Sequence, residues 1–195
     1  MRNILLISFI IIQTLCFSQN AVEANEGMKL FWKGEYSKSL KFFEKQARND
    51  NSYDTKFWIA SCYFKMEEMR TAKKIFLEIV NSQYQGSALS MSLINLGSCY
   101  RSLNQADSAF YFYDAAIVLF PNLSSGYFNK AQFLYTLDRF EEAGMTYTQA
   151  IAVNPAEFVY YMKRMEIFFI LQQYDKALSD ILQAKKLKPD LDIDF

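Results

Sequence analysis

Few side chains in this chain could carry out catalysis. Its 195 residues include no histidine, so the commonest general base is missing and a Ser-His or Cys-His arrangement cannot be built. Adjacent carboxylates at Glu67-Glu68 and Glu141-Glu142 could in principle act as acid and base. Each pair falls at a predicted helix start, where the helix dipole favours an acidic side chain on a solvated face. We therefore predict no catalytic residue, no cofactor and no metal site.

The remaining residues follow a pattern that repeats along the chain. Small residues let two helices approach closely, aromatic rings fill the space between them, and proline ends the second helix. Such a set recurs 34 positions later: Leu93, Gly97, Ala109, Tyr113, Ala116 and Pro121 correspond to Tyr127, Ala131, Ala143, Tyr147, Ala150 and Pro155. Five units are predicted, at about 20–52, 53–86, 90–123, 124–157 and 158–191, followed by a tail over 192–195.

The 34-residue period and its Leu-Leu-Gly-Tyr…Ala-Tyr…Pro pattern resemble the tetratricopeptide repeat family. The resemblance is closest over 90–191 and weaker over 20–82, where Ser39 replaces an alanine. It implies an all-α fold, a right-handed superhelical solenoid of antiparallel helix pairs whose first helices line the concave surface. Ten helices are predicted, at 20–33, 35–48, 54–66, 68–82, 87–103, 106–119, 123–137, 140–153, 157–171 and 174–187.

The positions that face the concave side in that family are rich in aromatic residues here. The predicted partner-binding groove consists of Trp32, Phe57, Trp58, Phe64, Asn95, Arg101, Phe128, Asn129, Tyr135, Met162, Lys163 and Phe169. Exposed rings with amides and an arginine are typical of a recognition site. The alternative is that several rings pack between helices. The clamp that cytosolic relatives use for chaperone C-termini is not predicted, because Phe57 and Ser61 stand where it requires Lys and Asn.

The N-terminal segment over residues 1–18 reads as a secretory signal peptide. Arg2 precedes an apolar run from Ile4 to Phe17, and small side chains near its end predict cleavage between Ser18 and Gln19. The alternative is a retained anchor, although the run is shorter than the ~20 residues of a spanning helix. Bulky Leu15 before Cys16 does not fit a lipoprotein signal. We expect an exported protein, periplasmic or extracellular, with no membrane span after cleavage.

Two cysteines remain after that segment, Cys62 and Cys99, each two residues after the small residue of a first helix. Neighbouring helix axes lie ~8–10 Å apart, whereas a disulfide needs Cα atoms within about 6.8 Å. Two buried thiols are predicted. A disulfide is the alternative, because export favours oxidation.

Lys plus Arg and Asp plus Glu both number 21, so no global charge favours nucleic acid as a partner.

The leading hypothesis is a non-enzymatic scaffold that binds a peptide or partner protein in its groove. A glycan or small-ligand module on the same groove, and a structural envelope component, are the alternatives. At the C-terminal repeat we favour a partial cap in which Leu191, Ile193 and Phe195 cover Leu178, Ile181 and Leu182. A homodimer contact through the same face is the alternative.

Overall fold

The structure, a computed structural model, describes residues 26–191 and is helical throughout that range apart from turns. A helix over residues 26–32, α1, comes first. The helices that follow are α2 Tyr36–Ala47, α3 Tyr53–Lys65, α4 Met69–Val80, α5 Ser87–Ser102, α6 Ala106–Leu119, α7 Ser124–Thr136, α8 Phe140–Val153, α9 Phe158–Ile170 and α10 Tyr174–Leu187. The predicted all-α fold is confirmed, and α2–α10 begin and end within two residues of the predicted bounds. The predicted signal segment and the tail over 192–195 lie outside the described residues.

One turn geometry joins the two helices of each pair. A residue in the left-handed region ends each first helix: Gly34, Glu67, Asn104, Asp138 and Gln172, with φ between 56° and 80°. The following N–H donates to the carbonyl five residues earlier, as the Gln105 N–H does to Tyr100 at 2.9 Å. This capping hydrogen bond offsets the roughly 1–2 kcal/mol that a left-handed conformation costs a non-glycine residue. Asn104, Asp138 and Gln172 keep the 34-residue period, so the predicted register holds.

Proline ends the second helix of the later pairs, as predicted. Pro121, Pro155 and Pro189 each stand two residues after the last residue of α6, α8 and α10. Without an N–H, proline cannot continue the hydrogen-bond ladder, and it disfavours helical geometry in the residue before it. After Pro121 and Pro155 the chain therefore turns back and begins the next first helix.

The described chain forms two compact units, one up to Asn95 and one from Leu96. In the first unit, α3 packs against both α2 and α4. Phe31, Phe43 and Cys62 form a buried cluster, with Trp58 packed against it. Ser39, which replaces the usual alanine, is fully buried, and its hydroxyl donates to the Gly27 carbonyl at 2.8 Å. That hydrogen bond lets a polar residue occupy the helix contact.

In the second unit, each helix from α6 to α9 packs against the helix that follows it. Ala131, Ala143, Tyr147 and Ile167 belong to one buried cluster, and all four are at most 1% exposed. A side chain no larger than a methyl at the two alanines lets the helices approach while the tyrosine ring fills the space beside them. The small residues therefore lie at the close helix contacts where the sequence placed them.

Cys62 and Cys99 are both buried thiols, as predicted. The Cys62 thiol donates to the Ser39 hydroxyl over 3.4 Å. Burial raises the pKa of the Cys62 thiol, which therefore stays in its unreactive protonated form at neutral pH. Between residues 26 and 191, the structure has no helix with both the length and the apolar character to cross a membrane.

Candidate interaction surface

The second unit contains a depression of about 590 Å³, bordered by the first helices of three successive pairs. It is lined by Arg101 and Asn104 at the end of α5, by Gln132, Phe133, Tyr135, Thr136 and Leu137 at the end of α7, by Tyr147 of α8, and by Lys163 and Glu166 of α9. Arg101 and Tyr135 stand 34 residues apart, as do Gln132 and Glu166. The repeat therefore brings equivalent positions of neighbouring helices to one surface.

Polar groups surround this depression. The Lys163 ammonium donates to the Glu166 carboxylate over 2.7 Å, and both side chains are about one third exposed. Arg101 adds a second cation, so two positive charges face one negative charge. The side chains of Asn104 and Gln132 supply amide donors and acceptors. The depression can therefore form hydrogen bonds with a polar backbone and favours an anionic over a cationic group.

Aromatic rings form the deeper part of the depression. Tyr135 packs edge-to-face on Phe140, with ring centroids 5.6 Å apart, and remains partly exposed. Tyr147 is 1% exposed, and burial raises the pKa of its hydroxyl far above the ordinary value, with the nearby Glu166 charge adding to the shift. Tyr147 is therefore neutral at physiological pH. Phe133, 5% exposed, completes an apolar base beneath the polar groups.

The structure brings three of the predicted groove residues of this unit together in the depression: Arg101, Tyr135 and Lys163. Phe169, the counterpart of Arg101 and Tyr135 in the last pair, is 58% exposed, and its ring centroid lies 5.4 Å from that of Tyr174. It does not line the depression.

The other predicted groove residues of this unit make local contacts. The ring of Phe128 packs 5.1 Å from that of Tyr160 and 5.8 Å from that of Tyr147. The Asn129 amide donates to the Ser125 carbonyl within its own helix, over 2.8 Å. Met162 is half-buried on α9. Phe128 therefore fits the alternative prediction, in which a ring at a groove position packs between helices.

In the first unit the predicted residues divide in the same way. Trp58 is half-buried and stacks on Phe43, with ring centroids 5.7 Å apart and planes 9° apart. Phe57 contacts Phe76 at 6.0 Å. Trp32, in contrast, is 73% exposed. Phe64 and Asn95, on α3 and α5, are half-buried.

Sequence reasoning did not select Asn104, Thr136 and Leu137, which line the depression at the ends of α5 and α7. A signal for them exists in the turn spacing. Asn104 is the left-handed residue that ends its pair's first helix, and Leu137 precedes the equivalent Asp138. Asn104, Thr136 and Leu137 are all exposed, so a ligand can reach them.

The described residues contain no cluster of three or more His, Cys, Asp or Glu side chains that could hold a metal ion. Glu142 forms two 2.6 Å hydrogen bonds with the Arg139 guanidinium, which lower the pKa of that carboxyl. Glu141 is exposed beside it. These carboxylates stand at the start of α8, in the solvated position predicted from the helix dipole.

Pairs of antiparallel helices that repeat with one turn geometry and one set of small contacts define an all-α, solenoid-like repeat protein. The tetratricopeptide repeat family profile matches residues 54–87 and 124–157. A stretch of 50 residues is 40% identical to human tetratricopeptide repeat protein 28; it is 26% of this chain and 2% of that protein's length. The chain therefore contains tetratricopeptide repeats, over residues 54–87 and 124–157.

Solved structures share this fold across most of the chain. TTC0263, a thermophilic tetratricopeptide repeat protein from Thermus thermophilus, superimposes with a TM-score of 0.72 at 16% identity, covering 88% of this chain and 92% of its own. MamA from Desulfovibrio magneticus RS-1 gives 0.67 at 13% identity, with 89% and 97% covered. YrrB, described as having an unusual peptide-binding site, gives 0.58 at 18% identity, with 86% of each chain covered.

Proposed function

We propose that this protein is an exported, non-enzymatic interaction scaffold that binds an extended segment of a partner protein in the depression of its second unit. The observation that carries this proposal is the meeting of equivalent positions from α5, α7 and α9 on one concave surface. Tetratricopeptide repeat proteins are in general interaction scaffolds, and this chain has the fold of that family. The proposed activity is therefore binding, with no covalent chemistry.

A peptide suits the groups present better than a compact ligand does. Peptide N–H and C=O groups recur every residue, and the amides of Asn104 and Gln132 can pair with them. Tyr135 and Leu137 offer apolar contacts for side chains, and the excess of positive charge favours a segment with an acidic residue. YrrB, a structural relative at 18% identity, is itself described as having a peptide-binding site, which supports this choice.

The binding proposal can be tested with a phage-displayed library of random peptides panned on the intact protein, followed by affinity measurement of the selected peptides. We expect Tyr135→Ala and Lys163→Ala to weaken binding by about tenfold or more, because truncating central contacts commonly costs over 1 kcal/mol. Tyr111→Ala is the matched control, since Tyr111 is 68% exposed on α6 and does not line the depression. Equal affinity for all three variants would reject the depression as the site.

A glycan-binding function is the second candidate, and a different observation favours it. Trp32 is 73% exposed and lies 6.4 Å from the half-buried ring of Trp58, so the first unit presents an aromatic face of the kind that stacks on sugar rings. A glycan array probed with the intact protein and with Trp32→Ala tests this candidate. Binding that persists in Trp32→Ala would exclude this face.

The proposed export depends on residues 1–18. Their basic start and apolar run support a cleaved signal peptide, with Gln19 as the first mature residue. Mass spectrometry of the protein recovered from fractionated cells of the source organism tests this directly. A chain that begins at Gln19 in the exported fraction supports the proposal, whereas an uncleaved chain in the cytosol or a lipid attached at Cys16 contradicts it.

A further inference from the structure

Helix α10 presents an exposed apolar stripe. Leu178 and Leu182, one turn apart, are 56% and 61% exposed, and Tyr174 continues the stripe at 57%. Exposed leucines that stand singly are ordinary, but a run at i, i+4 and i+8 gives one continuous helix face.

The equivalent face of α8 is a helix-packing surface. Gly144 and Thr148 precede Leu178 and Leu182 by 34 residues. A Cβ atom placed on Gly144 would lie 3.4 Å from the Ile167 side chain of α9, and Thr148 accepts a 2.9 Å hydrogen bond from Arg164 of α9. At the same register, α10 carries two leucines. The stripe therefore has the position and the composition of a surface against which another helix packs.

A buried ion pair fixes the direction in which the stripe faces. Asp180 is 3% exposed and accepts hydrogen bonds from the Arg164 guanidinium over 2.7 and 2.9 Å. Asp180 lies midway in sequence between Leu178 and Leu182, which places it on the opposite side of the helix. The pairing prevents α10 from rotating to bury its leucines within its own pair.

Charged and aromatic groups flank this stripe in a self-complementary order. The positions of the flanking residues around the helix axis follow from 3.6 residues per turn, measured from the midline between Leu178 and Leu182. Asp175 and Lys186 lie on one flank, at about 40° and 60° from that midline. Tyr174 and Lys185 lie on the other flank, at about 60° and 40°. Asp175 and Tyr174 stand near the start of α10, and the two lysines stand near its end.

We propose that two copies of this chain associate about a twofold axis through α10, with the two α10 helices antiparallel. The axis crosses the contact at the level of residue 180 along the helix, so that Leu178 of each copy meets Leu182 of the other. The same rotation sets Asp175 beside Lys186 of the second copy on one flank and Tyr174 beside Lys185 of the second copy on the other. Each contact occurs twice, as an isologous interface requires. The stripe is thus complementary to itself, which identifies a second copy as its occupant.

The test is sedimentation equilibrium of the intact protein in low-salt buffer. We expect a concentration-dependent dimer, and a monomer at the same concentrations for Leu178→Asp, because an unpaired carboxylate would be buried at the contact. Asp175→Lys and Lys186→Asp should each weaken the dimer by about tenfold, since each reverses two charge pairs. Lys176→Asp is the matched control; it makes the same charge change as Lys186→Asp, on a side chain that lies over the ring of Phe168.

The two charge variants also provide a test by mixing. In a dimer of either variant with itself, positions 175 and 186 carry like charges and face each other across the contact. In a mixed dimer of Asp175→Lys and Lys186→Asp, both of these contacts pair opposite charges. The mixture should therefore associate about as strongly as the native protein.

Three outcomes would overturn the proposal. One is an intact protein that stays monomeric up to several hundred micromolar. Another is a dimer that neither Leu178→Asp nor the charge variants weaken. The third is a monomer that dimerises only when residues 192–195 are removed, which would identify those residues as the cover of the stripe.

Discussion

Replacing Gly97 by alanine tests the close helix contact that the repeat pattern predicts. Gly97 faces the ring of Tyr113, which is fully buried. A Cβ atom on Gly97 would lie 2.5 Å from Cε1, 2.6 Å from Cδ1 and 2.9 Å from Cζ of that ring. Ordinary carbon contacts are about 3.5–4.0 Å, so the ring must move by about 1 Å. Its hydroxyl is hydrogen-bonded to that of Ser98 over 3.0 Å, and this movement strains that bond.

Two effects of opposite sign decide the result of Gly97→Ala. Alanine in a helix interior is favoured over glycine by about 1 kcal/mol. Overpacking a filled core costs about 1–3 kcal/mol. We therefore expect the substitution to lower the free energy of unfolding by about 1 kcal/mol. For a chain of this length, that corresponds to a melting temperature lower by about 2–4 °C.

Gly144→Ala is the matched control, because Gly144 is also buried and lies within a helix. The only contact a Cβ atom would make there is with Ile167 at 3.4 Å, an ordinary packing distance. The helix preference then acts nearly alone, and we expect this variant to be more stable than the native protein by up to about 1 kcal/mol. The same substitution thus has opposite effects at the two glycines.

Urea and thermal unfolding followed by circular dichroism at 222 nm measure both variants. Tryptophan fluorescence, which comes only from Trp32 and Trp58, reports the first unit alone. A Gly97→Ala protein as stable as Gly144→Ala would refute the packing argument. A second check introduces Gly97→Ala into a Tyr113→Leu protein. Because removing the ring should relieve most of the cost of Gly97→Ala, we expect the double-mutant cycle to give a coupling energy of about 1–2 kcal/mol between positions 97 and 113.

Three further predictions concern the second unit. Asp180→Ala leaves the Arg164 guanidinium half of a buried ion pair without its partner, and should lower the free energy of unfolding by about 3 kcal/mol in urea titrations; a loss near zero would contradict the pairing. Ala143→Leu overfills the contact beside Tyr147 and should cost about 1–3 kcal/mol, so an unchanged urea midpoint would argue against the repeat register. Burial raises the pKa of the Tyr147 hydroxyl, so its contribution to stability is complete below about pH 10 and is lost as the pH rises beyond it. Tyr147→Phe should therefore lose less stability between pH 8 and pH 11 than Tyr111→Phe, which removes an exposed hydroxyl, and equal losses would contradict the assignment.

The candidate surface shows how one residue type takes two roles. Tyr135 and Phe128 are both aromatic, both on α7 and both at positions predicted to be concave. Tyr135 lines the depression, whereas Phe128 lies between the rings of Tyr147 and Tyr160. Substituting Tyr135 therefore tests recognition, while substituting Phe128 chiefly tests packing.

The sequence by itself determined the helices, their pairing and their register. Small residues, turns and prolines act locally. Gly97 marks a helix contact, Asp138 a turn and Pro155 a helix end, and none of these depends on residues distant in the sequence. The tertiary structure alone decided which aromatic residues are exposed. Trp32 and Trp58 belong to the same predicted face, yet one is 73% exposed and the other stacks on Phe43 of another helix. Burial depends on which side chains neighbouring helices bring alongside a ring, and a periodic pattern read along one helix does not contain that information.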